Sequence, residues 1–147
     1  MSGNVFVDTN ILVYSRDMSE PEKQQRAMVW LSRLWQNRSG RLSYQVLQEY
    51  YVTVTQKLKP GLPIEKARTD VRSLLAWNPL SIDAPMLEGA WVIQDRYSIS
   101  WWDALIVSAA QTADSEYLLT EDLQPEQTIG GVTVINPFTT EPAALDV

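Results

Sequence analysis

Four acidic residues, Asp8, Glu49, Asp103 and Asp122, stand on or beside strongly apolar segments and are separated by 41, 54 and 19 residues. Polar residues surround them: Thr9 and Asn10 follow the first acid, Thr120 precedes the last, and Glu121 is a further acid at its side. The sequence has no Cys and no His. That absence excludes disulfides, thiol nucleophiles, Ser-His-Asp triads and Cys- or His-ligated metals. Chemistry must run on carboxylates, hydroxyls, Lys, Arg or a metal held by oxygen. Carboxylates that share a cleft repel one another, and the remedies are raised pKa values or a hard divalent cation. Oxygen-only ligands select Mg²⁺ or Mn²⁺ over zinc.

Taken singly, each acid also has a structural use. Asp8 can cap the helix that follows it, and Asp103, three residues after Ser100, can complete a capping box. Glu49 can sit on a solvated helix face, and Asp122 can cap a turn. Their meaning depends on the elements that carry them.

The pattern along the chain alternates strands and helices. Asn4 to Val7 reads as a short strand ending at Asp8, followed by one or two helical turns over Ile11 to Tyr14. Ser19 and Glu22 with Pro21 between them read as a capping box, and Ala27, Trp30, Leu31, Leu34 and Trp35 then recur at helical spacing. Arg41 to Tyr44 reads as a short strand. Leu47, Tyr50, Tyr51, Val54 and Leu58 form a helical stripe that outweighs the strand propensity of residues 51–55. Pro60 to Pro63 is a break. Ile64 to Trp77 and Ala84 to Tyr97 read as helices, with a short extended piece over Asn78 to Ile82 between them. The helix from Trp101 to about Ala113 is apolar almost all round and therefore central. Tyr117 to Thr120 and Val132 to Ile135 read as buried strands. Strands separated by helices imply a parallel sheet in a layered α/β fold, whose ligand cleft lies beyond the carboxyl ends of the strands. If the strands before Asp8 and Asp122 are neighbours, both carboxylates enter that cleft.

A chain of 147 residues with a net charge of −6 is long enough for one domain with its own core. The pI near 4.6 argues against a general electrostatic nucleic-acid binder. No apolar run is long enough to span a membrane, and no secretory signal is visible, so a cytoplasmic location is expected. Residues 1–138 form the expected domain, and residues 139–147 are expected to be a loosely tied tail. The Trp residues at helical spacing, Trp30, Trp35, Trp77, Trp91 and one of Trp101 or Trp102, are expected to fill core or an interface.

In series, Asp8-Thr9-Asn10, the segment Gln45 to Tyr51 around Glu49, Ser100 to Ile106 around Asp103, Leu118 to Gln124 around Asp122 and the closing Ile135-Asn136-Pro137-Phe138 resemble the PIN domain, a family of metal-dependent nucleases. The likeness is close in the bacterial branch of VapC-like toxins of type II toxin-antitoxin systems. It implies a three-layer fold with a central parallel sheet flanked by helices. Carried over, Asp8, Glu49 and Asp103 match the three core acids and Asp122 the fourth. Thr9, Asn10 and Thr120 match the polar residues that orient them, and the part of Glu121 is open.

The resemblance implies a hydrolase: an Mg²⁺- or Mn²⁺-dependent endoribonuclease that leaves a 3′-hydroxyl and a 5′-phosphate. Asp8, Asp103 and Asp122 would be metal ligands, and Glu49 a ligand or the group that positions water. It also implies RNA as substrate, a small cognate antitoxin and a homodimer. Substrate grip would fall to Arg33, Arg38 and Arg41, or to Lys57, Lys59, Lys66, Arg68 and Arg72, unless these are ordinary solvated faces. The Trp30, Leu31, Leu34 and Trp35 stripe is a candidate partner surface. An aspartyl phosphatase would need a second Asp where Asn10 stands, and a receiver domain would need a Lys on a late strand. A non-catalytic RNA-binding or interaction module with this fold is the remaining alternative.

Overall fold

The computed structural model describes residues 3–145 and 147. Strand β1 (Val5–Val7) is buried on both faces, as a central parallel strand must be. It leads through Asp8 into α1 (Thr9–Tyr14), and α2 (Pro21–Asn37) then brings the chain to β2 (Gly40–Arg41). Four helices follow: α3 (Tyr44–Val52), prolonged by a π-helical turn over Thr53–Lys57; α4 (Ile64–Leu74), ending in a 3₁₀ turn over Leu75–Trp77; α5 (Ala84–Tyr97); and α6 (Trp101–Thr112). The chain closes with β3 (Tyr117–Leu119), β4 (Thr128–Ile129), β5 (Val132–Ile135) and a 3₁₀ turn over Pro142–Leu145.

The sheet order is β2-β1-β3-β5-β4, parallel except for the β4–β5 hairpin. Gly130 and Gly131 turn that hairpin with φ of 56° and 85°, the left-handed conformations a two-residue turn needs. From β1 the chain crosses first to β2 on one side, and from β2 it returns across to β3 on the other. The carboxyl ends of β1 and β3 therefore form a topological switch point, where open α/β sheets place their clefts. Helix α6 is buried from Ala104 through Ala110, in keeping with its apolar sequence.

Several sequence-based expectations change. Ser19 does not cap α2: Glu20 occupies the cap position without a side-chain bond, while the Ser19 backbone N–H and hydroxyl both donate to Asp17 Oδ1, at 3.0 and 2.5 Å. An Asp two residues upstream competes for the same hydroxyl in a local turn. The strand expected over Arg41 to Tyr44 shrinks to Gly40–Arg41, because Ser43 accepts from Val46 N and starts α3. Trp30 and Trp77 are buried, but Trp35, Trp91 and Trp102 are exposed. The expected loose tail is tied down. Trp30 Nε1 donates to Thr140 O at 2.9 Å, Arg26 pairs with Glu141 at 2.8 Å, and Val147 is buried.

Candidate active site

Asp8 leaves the carboxyl end of β1 and caps α1, so its structural use is real as well. Its backbone N–H donates to Leu119 O at 3.0 Å, which places it level with the end of β3. One carboxylate oxygen accepts from Thr9 N at 2.7 Å and the other from the Thr120 hydroxyl at 2.8 Å. Thr120, fully buried, in turn accepts from Asp122 N at 3.1 Å and from Asn10 Nδ2 at 3.4 Å. One hydroxyl thus joins the ends of β1, α1 and the loop after β3.

Glu49 enters from α3. The Thr9 hydroxyl donates to its Oε2 at 3.1 Å, and Gln45, one helical turn earlier, donates to its Oε1 at 2.9 Å. Asp103 stands in the first turn of α6, where its backbone N–H is capped by Ser100 Oγ at 3.1 Å. Its charge adds to the raised pKa of the Asp8 and Asp122 carboxyls. Glu121 lies beside Asp122, but its oxygens are held by the Tyr14 hydroxyl at 2.5 Å and by Lys23 Nζ at 3.0 Å.

The electrostatics follow from this crowding. Burial pushes the Asp8 carboxyl up to about 7, and the charges of Asp122 and Asp103 add to the rise, while hydrogen bonds from Thr120 and Thr9 oppose it. Asp122 is also raised, by burial, then by Asp103 and Glu121, against a hydrogen bond from Asn10. Asp8 and Asp122 are therefore both harder to ionise than free carboxyls.

Two observations bear on a cation. Asn10 Oδ1 is buried and has no hydrogen-bond partner among the described residues, and it sits among oxygen donors. Among those same residues, however, no three acids already close around one point. The donor set fits a hard divalent ion in kind, with Asp8, Asp103 and Asp122 as the residues that would hold it.

The PIN domain family model matches residues 5–128, which span all four acids and the strands and helices that carry them. The chain belongs to the PIN domain family. Solved structures similar to this PIN domain include FitAB bound to an IR36 DNA fragment, at 22% identity and TM-score 0.72, covering 93% of this chain and 97% of that one. VapBC2 from Rickettsia felis bound to a promoter DNA fragment gives 18% identity and TM-score 0.61, with coverages of 88% and 96%. A toxin-antitoxin complex from Klebsiella pneumoniae gives 20% and 0.57, with coverages of 91% and 98%. No curated protein matches the sequence significantly. Among the described residues no helix is long and apolar enough to cross a membrane.

Sequence reasoning missed three residues of the network, Tyr14, Lys23 and Gln45. Gln45 carried a usable signal, the i, i+4 spacing to Glu49 on one helix. Tyr14 and Lys23 reach Glu121 across 107 and 98 residues, a contact no local pattern encodes.

Proposed function

We propose that this PIN domain is a metal-dependent endoribonuclease and the toxin of a toxin-antitoxin pair, acting in the cytoplasm. One observation carries the reading: at the switch point the carboxyls of Asp8 and Asp122, from distant segments, are raised by burial first and then by neighbouring acids, Asp103 among them. Perturbed carboxyls of this kind cluster at functional sites. The similar Klebsiella pneumoniae structure is a toxin-antitoxin complex, which supports an antitoxin partner, and we extend the proposal to a homodimer.

In this mechanism Asp8, Asp103 and Asp122 would hold Mg²⁺ or Mn²⁺, which would supply Lewis acidity toward a phosphodiester and a water. The Thr120 hydroxyl and Thr9 N–H fix the Asp8 carboxylate, so it needs no reorganisation when substrate arrives. Asn10 keeps Thr120 in place through Nδ2. Glu49, steadied by Thr9 and Gln45, orients the attacking water and accepts its proton. Water oxygen bonds to phosphorus as the bond to the 3′ oxygen breaks; the water's proton goes to Glu49 and the leaving oxygen takes a proton from solvent, so the products carry a 3′-hydroxyl and a 5′-phosphate.

A second reading, an RNA-binding module without catalysis, draws on the lack, among the described residues, of three acids closed around one point. Incubation of the purified chain with RNA in Mg²⁺ or Mn²⁺, and in EDTA, separates the two. Cleavage that EDTA stops supports the nuclease; metal binding and cleavage both absent support the module.

A further inference from the structure

At the opposite, amino-terminal edge of the sheet, beside β2, lies a cavity of about 450 Å³ lined by Trp35, Arg38, Gly40, Arg41, Trp77 and Asn78. Its composition runs against that of the chain. The protein carries −6, yet among the described residues this cavity is lined by two guanidinium groups and by no carboxylate. Its aromatic wall is a pair: the rings of Trp35 and Trp77 lie 5.3 Å apart, tilted by 57°. Trp77 is buried, whereas Trp35 is 42% exposed. Gly40 is required for this wall, since a Cβ there would fall 2.4 Å from the Trp77 ring.

The two arginines are placed differently. Arg41 Nη1 donates to Gly40 O at 2.8 Å and to Arg38 O at 3.2 Å, which anchors one corner of its guanidinium and leaves the rest uncommitted. Arg38 is exposed, and its side chain has no hydrogen bond or ion pair among the described residues. It ends α2 with φ 53°, the left-handed cap conformation in which glycine is the least strained residue. A long cation therefore occupies a position where backbone energetics favour no side chain at all.

An exposed indole backed by a second ring, with two cations at its margin, matches the chemistry of a nucleotide unit: a base to stack and a phosphate to neutralise. We propose that this cavity is a second nucleotide-binding site that holds a single-stranded RNA at the amino edge of the sheet, away from the acidic cleft. The inference rests on the reading of RNA as substrate. β1 has three residues, so the two sites are separated by about 10 Å of sheet, at about 3.3 Å per residue. A strand held at both places would cross the β2 edge. The second contact also gives an acidic protein a local basic hold on RNA that the carboxylate cleft does not provide.

The test measures binding of a labelled single-stranded RNA of mixed sequence to the full chain in EDTA, across a salt series, for the wild type, Trp35→Leu and Arg38→Gly. Trp35→Leu is expected to weaken binding about tenfold, the loss of one stacked base. Arg38→Gly should reduce the salt slope by about 0.7, the release of one phosphate contact on a single strand. Its melting temperature should be unchanged or higher, because glycine suits the left-handed cap, so its loss of binding does not come from misfolding. Adenosine monophosphate tests the other source of the same chemistry. Weak binding that both substitutions remove agrees with a subsite for RNA, whereas tight binding together with RNA affinity unchanged in both variants overturns the RNA assignment. Unchanged RNA affinity and salt slope in both variants also overturn it. Cleavage in Mg²⁺ or Mn²⁺ is scored separately. A chain that cleaves RNA while both variants bind normally loses the second site and keeps the nuclease; a chain that binds RNA through these residues and never cleaves it does the reverse.

Discussion

Replacing Asp8 with Asn should make the metal-free protein more stable at alkaline pH, although Asp8 is among the best hydrogen-bonded side chains in the molecule. A carboxyl held at about 7 instead of its ordinary 3.8 costs the folded state about 4 kcal/mol once ionised, at about 1.4 kcal/mol per pH unit. Between those values the folded chain retains a proton that the unfolded chain has released. The contribution of Asp8 therefore stabilises fully below about pH 4, is lost as pH rises, and is gone above about pH 7. The Asn variant lacks this slope. Its amide oxygen keeps one of the two bonds, from Thr9 N or the Thr120 hydroxyl, and loss of the other costs about 1 kcal/mol. Urea unfolding in EDTA should give wild type and Asp8→Asn similar stabilities near pH 5 and a lead of about 3 kcal/mol for the variant near pH 8. Adding Mg²⁺ or Mn²⁺ at pH 8 should restore the wild type and leave the variant unmoved. Parallel stability curves for the two proteins from about pH 5 to 8 would refute the claim that burial and facing charges strain this carboxylate.

Asp103→Asn should abolish RNA cleavage and leave the circular dichroism spectrum and urea midpoint near those of the wild type, because its backbone cap from Ser100 survives; full activity would remove Asp103 from the mechanism. Glu121→Gln should keep most of the activity, since Tyr14 and Lys23 already hold both carboxylate oxygens; a loss matching that of Asp103→Asn would place Glu121 among the reacting groups. Asp70 receives Arg16 through two bonds of 2.7 and 2.9 Å and the Tyr50 hydroxyl at 2.5 Å, which pins the end of α1 to α3 and α4. Asp70→Leu should cost about 2 kcal/mol in urea unfolding after allowance for the partly exposed Arg16, and an unchanged midpoint would show the network to be incidental.

The α/β architecture was legible because the strands are short apolar runs and the helices keep a strong period. β1, α5, α6, β3 and β5 lie within a residue or two of their expected bounds. β4 was illegible, since Thr128–Ile129 is two residues long and gains its identity only by pairing with β5. The π-helical turn at Thr53–Lys57 was hidden for a related reason. The apolar stripe continues through it, and the ladder shift shows only in backbone bonds such as Leu58 N to Thr53 O. Of the candidate site, the acids could be picked out because carboxylates on apolar segments are rare. The resemblance marked Thr120 as a polar residue beside the acids, but its particular bonds to Asp8, Asn10 and Asp122 were hidden, since they depend on β1 and β3, 112 residues apart in sequence, being neighbours.

That separation has a consequence for how the protein comes into being. Asp8 is made 112 residues before its partner Thr120, with β1 waiting beside β2 for β3, the later of its two neighbouring strands. Long-range closure of this kind is slow, because chain entropy must be surrendered before the contact forms. An incomplete chain that stops before residue 117 lacks β3 and with it the whole far wall of the cleft. The order of assembly thus acts as a timer: a chain grown only as far as α6 carries Asp8, Glu49 and Asp103, and the cleft they border is completed only when β3 joins β1.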